Sequence, residues 1–458
     1  MDDRYTNLNY DVICIGGGPA GFTASVAAAR NGASVLLVER HGFLGGMLTA
    51  GGTGPMMSYH AGDTQVVQGI PHEMIARMEA LGLSPGHMED FVGYASSVTP
   101  FSPEGMKLVM EDMCIEAGVT LLYHTTFIDC TMADDQIHEV RLFAKNGFFT
   151  ARAKVFIDAS ADADLAVSAG VSTVYGRESD NQAQPMSMNI LVGGVDREKV
   201  IDFVLANKED MLKTIPFDKL RIIPRSGIQG GFQILNTLRA EGKTEIDNGH
   251  FLCFETNTLG QYIINMTHVR RKSPVDAFDL TYAEIEGRKQ AHATFDVFKK
   301  YVPGFENAHL ISTGPNIGIR ESRKIDGIYK LTEVDLVTSV MFPDAIAMGG
   351  YPIDVHLAPE AGKKYPKLKP GQWYSIPYRS LVTEKVRNLV VAGRCISATH
   401  QACGATRVTP ILMAIAQGAG TAASIAAKCG CHVKDVDVTL LRETLKKDGA
   451  FLEEYQAN

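Results

Sequence analysis

At 458 residues the chain is long enough for two or three domains, each with its own core. Its 45% hydrophobic and 21% charged content is ordinary for a globular protein, while a net charge of −8 argues against non-specific nucleic-acid binding and leaves no polybasic patch for an anionic membrane. The acidic, polar start MDDRYTNLNYD lacks a secretory pattern and the eight cysteines are scattered, so a cytoplasmic protein with reduced thiols is expected.

The first elements form one unit, DVICIGGGPAGFTASVAAARNGASVLLVE, over residues 11–39. A short apolar strand, Val12–Ile15, runs into Gly16-x-Gly18-x-x-Gly21, a small-residue helix, and a second apolar strand, Val35–Val38, that ends at Glu39. Gly16 permits the tight turn, Gly18 lets a pyrophosphate approach the backbone, and Gly21 lets helix and strand pack closely. The first helical turn offers free N–H groups to phosphates, and Glu39 falls where a carboxylate can accept ribose hydroxyls. The complete strand–turn–helix–strand–acid unit predicts dinucleotide binding, which a lone glycine triplet would not.

A loop follows, Gly42–Gly54, in which six of thirteen residues are glycine; close backbone approach to a ligand is expected there rather than a mobile linker, because the loop follows directly on Glu39. Ser102–Ala117 predicts a helix with Ser102 as cap and Pro103 in its first turn. Strand Val119–Tyr123 is followed by short strands near Phe127–Met132, Ile137–Phe143, Phe148–Ala151 and Lys154–Ile157, the last closed by Asp158-Ala-Ser160-Ala-Asp162. Residues 173–375 lose the βαβ rhythm: Asp196–Leu212 and Tyr282–Lys299 read as helices, His250–Thr267 and Gly349–Leu357 as strand-like. Asn388–Ala392 then reads as a buried strand and Pro410–Lys428 as a buried helix rather than a membrane span. The expected fold is α/β: a Rossmann-type nucleotide domain with a parallel sheet and β-meander over 1–172, an inserted α+β substrate or cap domain over 173–375, and a return segment over 376–458.

With DVICIGGGPAG, VLLVERHGFLGGM, VFIDASADADLA, NIGIRESRKIDGIYKLTEVDL and IPYRSL…NLVVAGRCISATH…RVTPILMAIAQGAGTAA in order, the chain resembles the FAD-dependent oxidoreductases of the glutathione-reductase-type flavin fold. The resemblance implies non-covalent FAD rather than NAD. It places Gly16, Gly18 and Gly21 at the pyrophosphate, Glu39 at the adenosine ribose, and Gly45 and Gly46 near the flavin. Pro19, Ala20, Arg40, Met47, Asp158, Ala159, Asp162, Gly393, Arg394, Arg407 and Thr409 complete the implied cofactor set. Two departures stand out. Arg394 follows Ala392-Gly393 where relatives often carry an Asp for the ribityl chain, and Ser160-Ala161 replaces Thr-Gly. Ala161 takes positive φ less cheaply than glycine, so a different local backbone is expected there.

Thr409 reads as an N-cap with Pro410 at the first helical position, and a helix start aimed at the isoalloxazine would favour negative charge on it during reduction. Candidate proton handlers are His356, His400 and Tyr378, with His356 preferred because its segment lies between the cap and the returning strand. Arg320, Arg323, Arg379, Arg394 and Arg407 could grip an acidic substrate or the FAD phosphates, or form ion pairs, the expected fate of Arg323 with Glu321 or Asp326. Cys429-Gly-Cys431 lacks zinc or iron–sulfur spacing, so no metal is expected; Cys395, beside Arg394, could have a lowered pKa but has no partner at disulfide-reductase spacing. No second nucleotide unit is present, since Gly418 and Gly420 lie in a helical run.

The expected activity is hydride transfer between a small organic substrate, through an alcohol or C–C bond and with anionic character open, and flavin N5. Electrons would leave to oxygen, a carrier or a visiting NAD(P). The alternatives are a flavin monooxygenase with transient NAD(P)H, or a non-catalytic FAD-containing binding or RNA-modification subunit, the latter opposed by the acidic charge. Neither nucleic acid nor membrane is an expected partner; homo-oligomer formation is left open.

Overall fold

The computed structural model describes residues 8–356, 368–369 and 371–453. Five strands run parallel in the spatial order Thr120–Leu122, Val35–Val38, Asn9–Ile15, Gly147–Asp158, Leu389–Val391. The stretches Phe148–Ala151 and Lys154–Ile157, expected as separate strands, are one strand of 12 residues. Its first half pairs antiparallel with Gln136–Ala144, which pairs with Thr126–Ala133 to make the meander; its second half pairs with Asn9–Ile15 and Leu389–Val391. Burial records the change: residues of the meander half alternate, and Val155–Asp158 are buried without interruption between parallel neighbours.

Helix Pro19–Arg30 packs on helices Thr409–Cys429 and Pro103–Glu116. Ser102 caps the last of these by accepting from the Gly105 N–H. Thr409–Cys429 is long and apolar enough to cross a membrane, but 83% of its apolar window is buried inside the protein. Its Gly420 lies against the Ala24 carbonyl, where a Cβ would come within 2.0 Å, so small residues set this helix–helix distance.

The second core surrounds a five-stranded antiparallel sheet ordered Gly227–Gly230, Phe251–Glu255, Tyr262–Ile264, Ile190–Gly193, His309–Thr313, accompanied by helix Ala277–Tyr301. It draws on Met186 to Ile317, with Phe91, Val92 and Val98 from an early segment, whereas Ile325 and the buried apolar residues after it pack in the first core. Residues 173–375 are therefore divided between the two cores. The helix expected over Asp196–Leu212 stops at Ala206 and gives way to a short 3-10 turn. Gly349–Leu357 is not a strand: Ala345–Gly349 pairs with Tyr374–Pro377, then Pro352, which has no N–H for a ladder, interrupts the extension. Leu357 lies outside the described residues.

Cys429 and Cys431 are joined as a disulfide across the left-handed Gly430, against the expectation of eight reduced thiols. Cys395 is fully buried, and burial pushes its thiol well above the usual range, so it is not an activated thiol.

Candidate active site

The two cores enclose a cavity of about 630 Å³. One part of its wall is the nucleotide unit: Gly16, Gly18, Pro19, Ala20, Glu39, Arg40, Gly46, Met47, Ala159, Asp162, Gly393 and Arg394. Gly16 holds φ +104° where its strand ends, and a Cβ there would lie 2.4 Å from the Ala159 carbonyl oxygen. At Gly18 an added Cβ would meet nothing closer than Gly46 Cα at 4.0 Å, so the backbone offers open space at the start of the helix, as an approaching pyrophosphate needs. Glu39 is held by the Gly17 N–H at 2.6 Å and the His41 N–H at 2.8 Å, with its carboxylate on the cavity wall. The buried Arg394 Nε, Arg407 Nε and Asn189 Oδ1 lack partners among the described residues. Open backbone, a fixed acid, two unpartnered donors and one unpartnered acceptor fit a bound dinucleotide.

Three implied cofactor residues act through structure instead. Asp158 is fully buried, and its carboxylate accepts from the N–H groups of Ser160 and Ala166 and the Ser160 hydroxyl, shaping the loop rather than lining the cavity. Gly21 sits against the Gly16 carbonyl, where a Cβ would intrude to 1.7 Å. Gly45 donates its N–H to the Gly17 carbonyl at 2.9 Å, tying the second glycine loop to the first. Ala161 does adopt positive φ, at +72°, as does Ala163 at +58°, so the backbone expected to differ keeps the left-handed turn without glycine. The carboxylate between them, Asp162, accepts from Arg394 at 2.6 Å and from the Ser322 hydroxyl.

Thr409 is the first residue of its helix, not the cap: Val408 holds the cap position, where no side-chain hydrogen bond is made. Arg407, Val408, Thr409 and Leu412 line the cavity, so the positive end of the helix dipole meets it.

Of the proton-handling candidates, His356 lines the cavity and two do not. Tyr378 is 1% exposed and donates its hydroxyl to the Val433 carbonyl at 2.7 Å. His400 is 2% exposed, with Nδ1 2.7 Å from Glu321, whose other oxygen accepts from Lys324. Both are structural. Arg323 pairs with Asp164 and the Asp162 carbonyl rather than Glu321 or Asp326, and Arg379 pairs with Asp344 away from the cavity.

At His356 the geometry converges. Its Nε2 lies 3.3 Å from the Asp354 carboxylate, which also accepts from Arg407 at 3.0 Å and from the Tyr94 hydroxyl at 3.4 Å. Burial, and then the charge of Arg320, lower the His356 pKa, so its neutral form is favoured. Burial alone would raise the Asp354 carboxyl; His356, Arg407 and Arg320 hold it well below the usual range. Tyr351, His250, Asn265 and Gln229 line the same cavity. Asp354 was detectable in sequence as a neighbour of His356 in PIDVHLA, whereas Tyr94, Tyr351, His250 and Asn265 sit in segments without a motif.

The fold and this cavity define a dinucleotide-binding α/β protein. A family model described as FAD dependent oxidoreductase matches residues 11–445, and the chain belongs to that family. Membership makes it an FAD-dependent oxidoreductase, in place of the non-catalytic reading. Thiamine thiazole synthase of Aeropyrum pernix is 52% identical over 46 residues, 10% of this chain and 17% of that protein. The same enzyme of Methanococcus maripaludis is 29% identical over 130 residues, 28% of this chain and 44% of that one, so less than half of either relative is matched. Among solved structures, a geranylgeranyl bacteriochlorophyll reductase-like protein from Thermoplasma acidophilum is similar at TM-score 0.48 and 11% identity, covering 96% of this chain and 83% of that one. The p-nitrophenol 4-monooxygenase of Pseudomonas putida is similar at TM-score 0.48 and 12% identity, covering 97% and 89%.

Proposed function

We propose that this enzyme dehydrogenates a small organic substrate at a hydroxyl or saturated C–C bond, or reduces its oxidised form, with His356 taking or returning the proton. The observation that carries the reading is the array of His356, Asp354 and Arg407 on the wall of the cavity that holds the nucleotide turn. FAD supplies the two-electron hydride acceptor at N5. The glycine loops and Glu39 hold the dinucleotide in the glutathione-reductase-type manner, and Arg394 lies on the wall for its phosphates. Neutral His356 accepts a proton, Asp354 orients the ring and favours the imidazolium that results, and Arg407 keeps Asp354 ionised. The start of helix Thr409–Cys429 favours negative charge gathering in the cavity.

An anaerobic screen of the FAD-loaded protein against alcohols, sugars, hydroxy acids and enoates tests the reading by bleaching of the flavin absorbance. Bleaching by one class is expected, with the rate falling about 10²–10⁴-fold in His356→Gln. Unchanged bleaching in that variant would overturn the role of His356. Oxygen-dependent hydroxylation by the reduced enzyme, without bleaching by any substrate, would replace dehydrogenation with monooxygenation.

A further inference from the structure

We propose that the substrate carries a carboxylate and that Arg320, seated on Ser187 in the cavity wall, is the residue that binds it. This inference rests on the oxidoreductase reading above and names the substrate class of the same site.

Arg320 is 9% exposed and reaches the cavity. Its Nη1 donates to the Pro185 carbonyl at 2.7 Å and the Ser187 hydroxyl at 2.6 Å, both neutral acceptors. Among the described residues no ion pair includes Arg320, and its hydrogen bonds come from Nη1 alone. The Nε–Nη2 edge of the guanidinium therefore remains for a planar, two-oxygen acceptor. The charge of Asp354 acts on Arg320 without an ion pair between them; a buried cation lacking a directly paired carboxylate is unfavourable, and the fork geometry makes a carboxylate its natural partner.

The surrounding charges identify the partner further. Asp354 is the carboxylate at hand, and it is committed to Arg407 at 3.0 Å and His356 at 3.3 Å. Two guanidiniums against one carboxylate leave a single uncompensated positive charge, because burial keeps His356, His250 and His268, whose ring lies 5.5 Å from that of His356, toward their neutral forms. Arg320 itself is pushed down by burial to about 10 and stays charged at neutral pH. One surplus charge suits a monoanionic carboxylate, whereas a phosphate dianion would overcompensate it. Asn265 Oδ1 and His250 Nε2, buried and without partners among the described residues, belong to residues that line the same cavity and can meet polar groups elsewhere on the molecule. A carboxylate on Arg320 also offsets the field that lowers the His356 pKa, so His356 becomes the better base once substrate is seated.

The test measures binding without turnover. FAD-loaded wild type, Arg320→Met and Arg320→Lys are titrated with acetate, glycolate and benzoate, and with the neutral acetamide, ethylene glycol and benzamide, following the visible flavin spectrum. At least one carboxylate is expected to bind wild type tenfold or more tightly than its neutral counterpart. Arg320→Met should abolish that preference and Arg320→Lys retain part of it, with FAD content unchanged. Should Arg320→Met fail to fold, Ser187→Ala serves instead, and a several-fold loss of carboxylate affinity is expected. Equal affinity for acid and amide, no binding by any of the three carboxylates, or tighter binding of inorganic phosphate would overturn the proposal. So would a change in flavin potential in Arg320→Met with carboxylate affinity intact, which would place Arg320 at the flavin. Reduction by neutral alcohols in a protein indifferent to carboxylates sinks this inference alone. Carboxylate binding without reduction by any substrate class sinks the dehydrogenase reading alone.

Discussion

Arg394 donates to Asp162 at 2.6 Å, joining the segment after strand Leu389–Val391 to the loop after strand Gly147–Asp158. Both residues line the cavity, and Arg394 retains an unpartnered buried Nε. Arg394 stands at the position where the resemblance implied an Asp for the ribityl chain. Arg394→Met should weaken FAD retention tenfold or more, and Asp162→Asn should do so less, because it leaves the cation in place. Fluorescence of FAD released on ultrafiltration measures both; full retention by Arg394→Met would exclude a cofactor role.

Ala161 pays a conformational cost at φ +72°, one that glycine would avoid. Ala161→Gly should raise stability by up to about 1 kcal/mol, the left-handed penalty offset in part by the greater freedom of glycine in the unfolded chain. Thermal unfolding of the two holoproteins checks this, with a lower midpoint for the variant as the contrary result.

The contact between Gly420 and Ala24 leaves no room for a methyl group, since a Cβ would lie 2.0 Å from the Ala24 carbonyl oxygen. Gly420→Ala should therefore destabilise by about 1–3 kcal/mol, despite the higher helix propensity of alanine. The measurement is a denaturant titration; a midpoint at or above wild type would show that the helices can separate freely.

A histidine cluster outside the active site should make the fold acid-sensitive. His87 Nε2 lies 3.2 Å from His72 Nδ1, its Nδ1 meets Thr99 Oγ1 at 2.8 Å, and Tyr59 packs on its ring at 4.1 Å between centroids. Burial, then the charges of His60 and His72, lower its pKa from 6.5 to about 3. The unfolded chain thus protonates first as pH falls, so stability present above pH 6.5 is lost on the way down to about 3. The loss by pH 5 from this group is about 2 kcal/mol, at about 1.4 kcal/mol per unit. Urea unfolding at pH 7.5 and pH 5 should show it, and His87→Phe should shrink the difference; an equal pH response in that variant would rule His87 out.

The nucleotide unit was legible in sequence because its requirements are local. Gly16 needs a turn, Gly21 needs contact with the strand beside it, and Glu39 sits one strand away. The Ser102 cap was legible for the same reason. Tyr378 and His400 were misread because the groups that occupy them, Val433 and Glu321, are 55 and 79 residues distant. Thr409 was misplaced by one position, within the usual ambiguity of a helix start. The chamber around His356 gathers residues from Tyr94 to Arg407, and no short-range pattern announces such an assembly.

Strand Leu389–Val391 and helix Thr409–Cys429 come from the last fifth of the chain, yet one completes the central sheet and the other begins at the cavity. A nascent polypeptide halted on the ribosome before Leu389 would display the glycine turn without the elements that close over it. Capture of the coenzyme is then a late event in biosynthesis, deferred until long-range pairing is complete. Prematurely terminated products should emerge colourless.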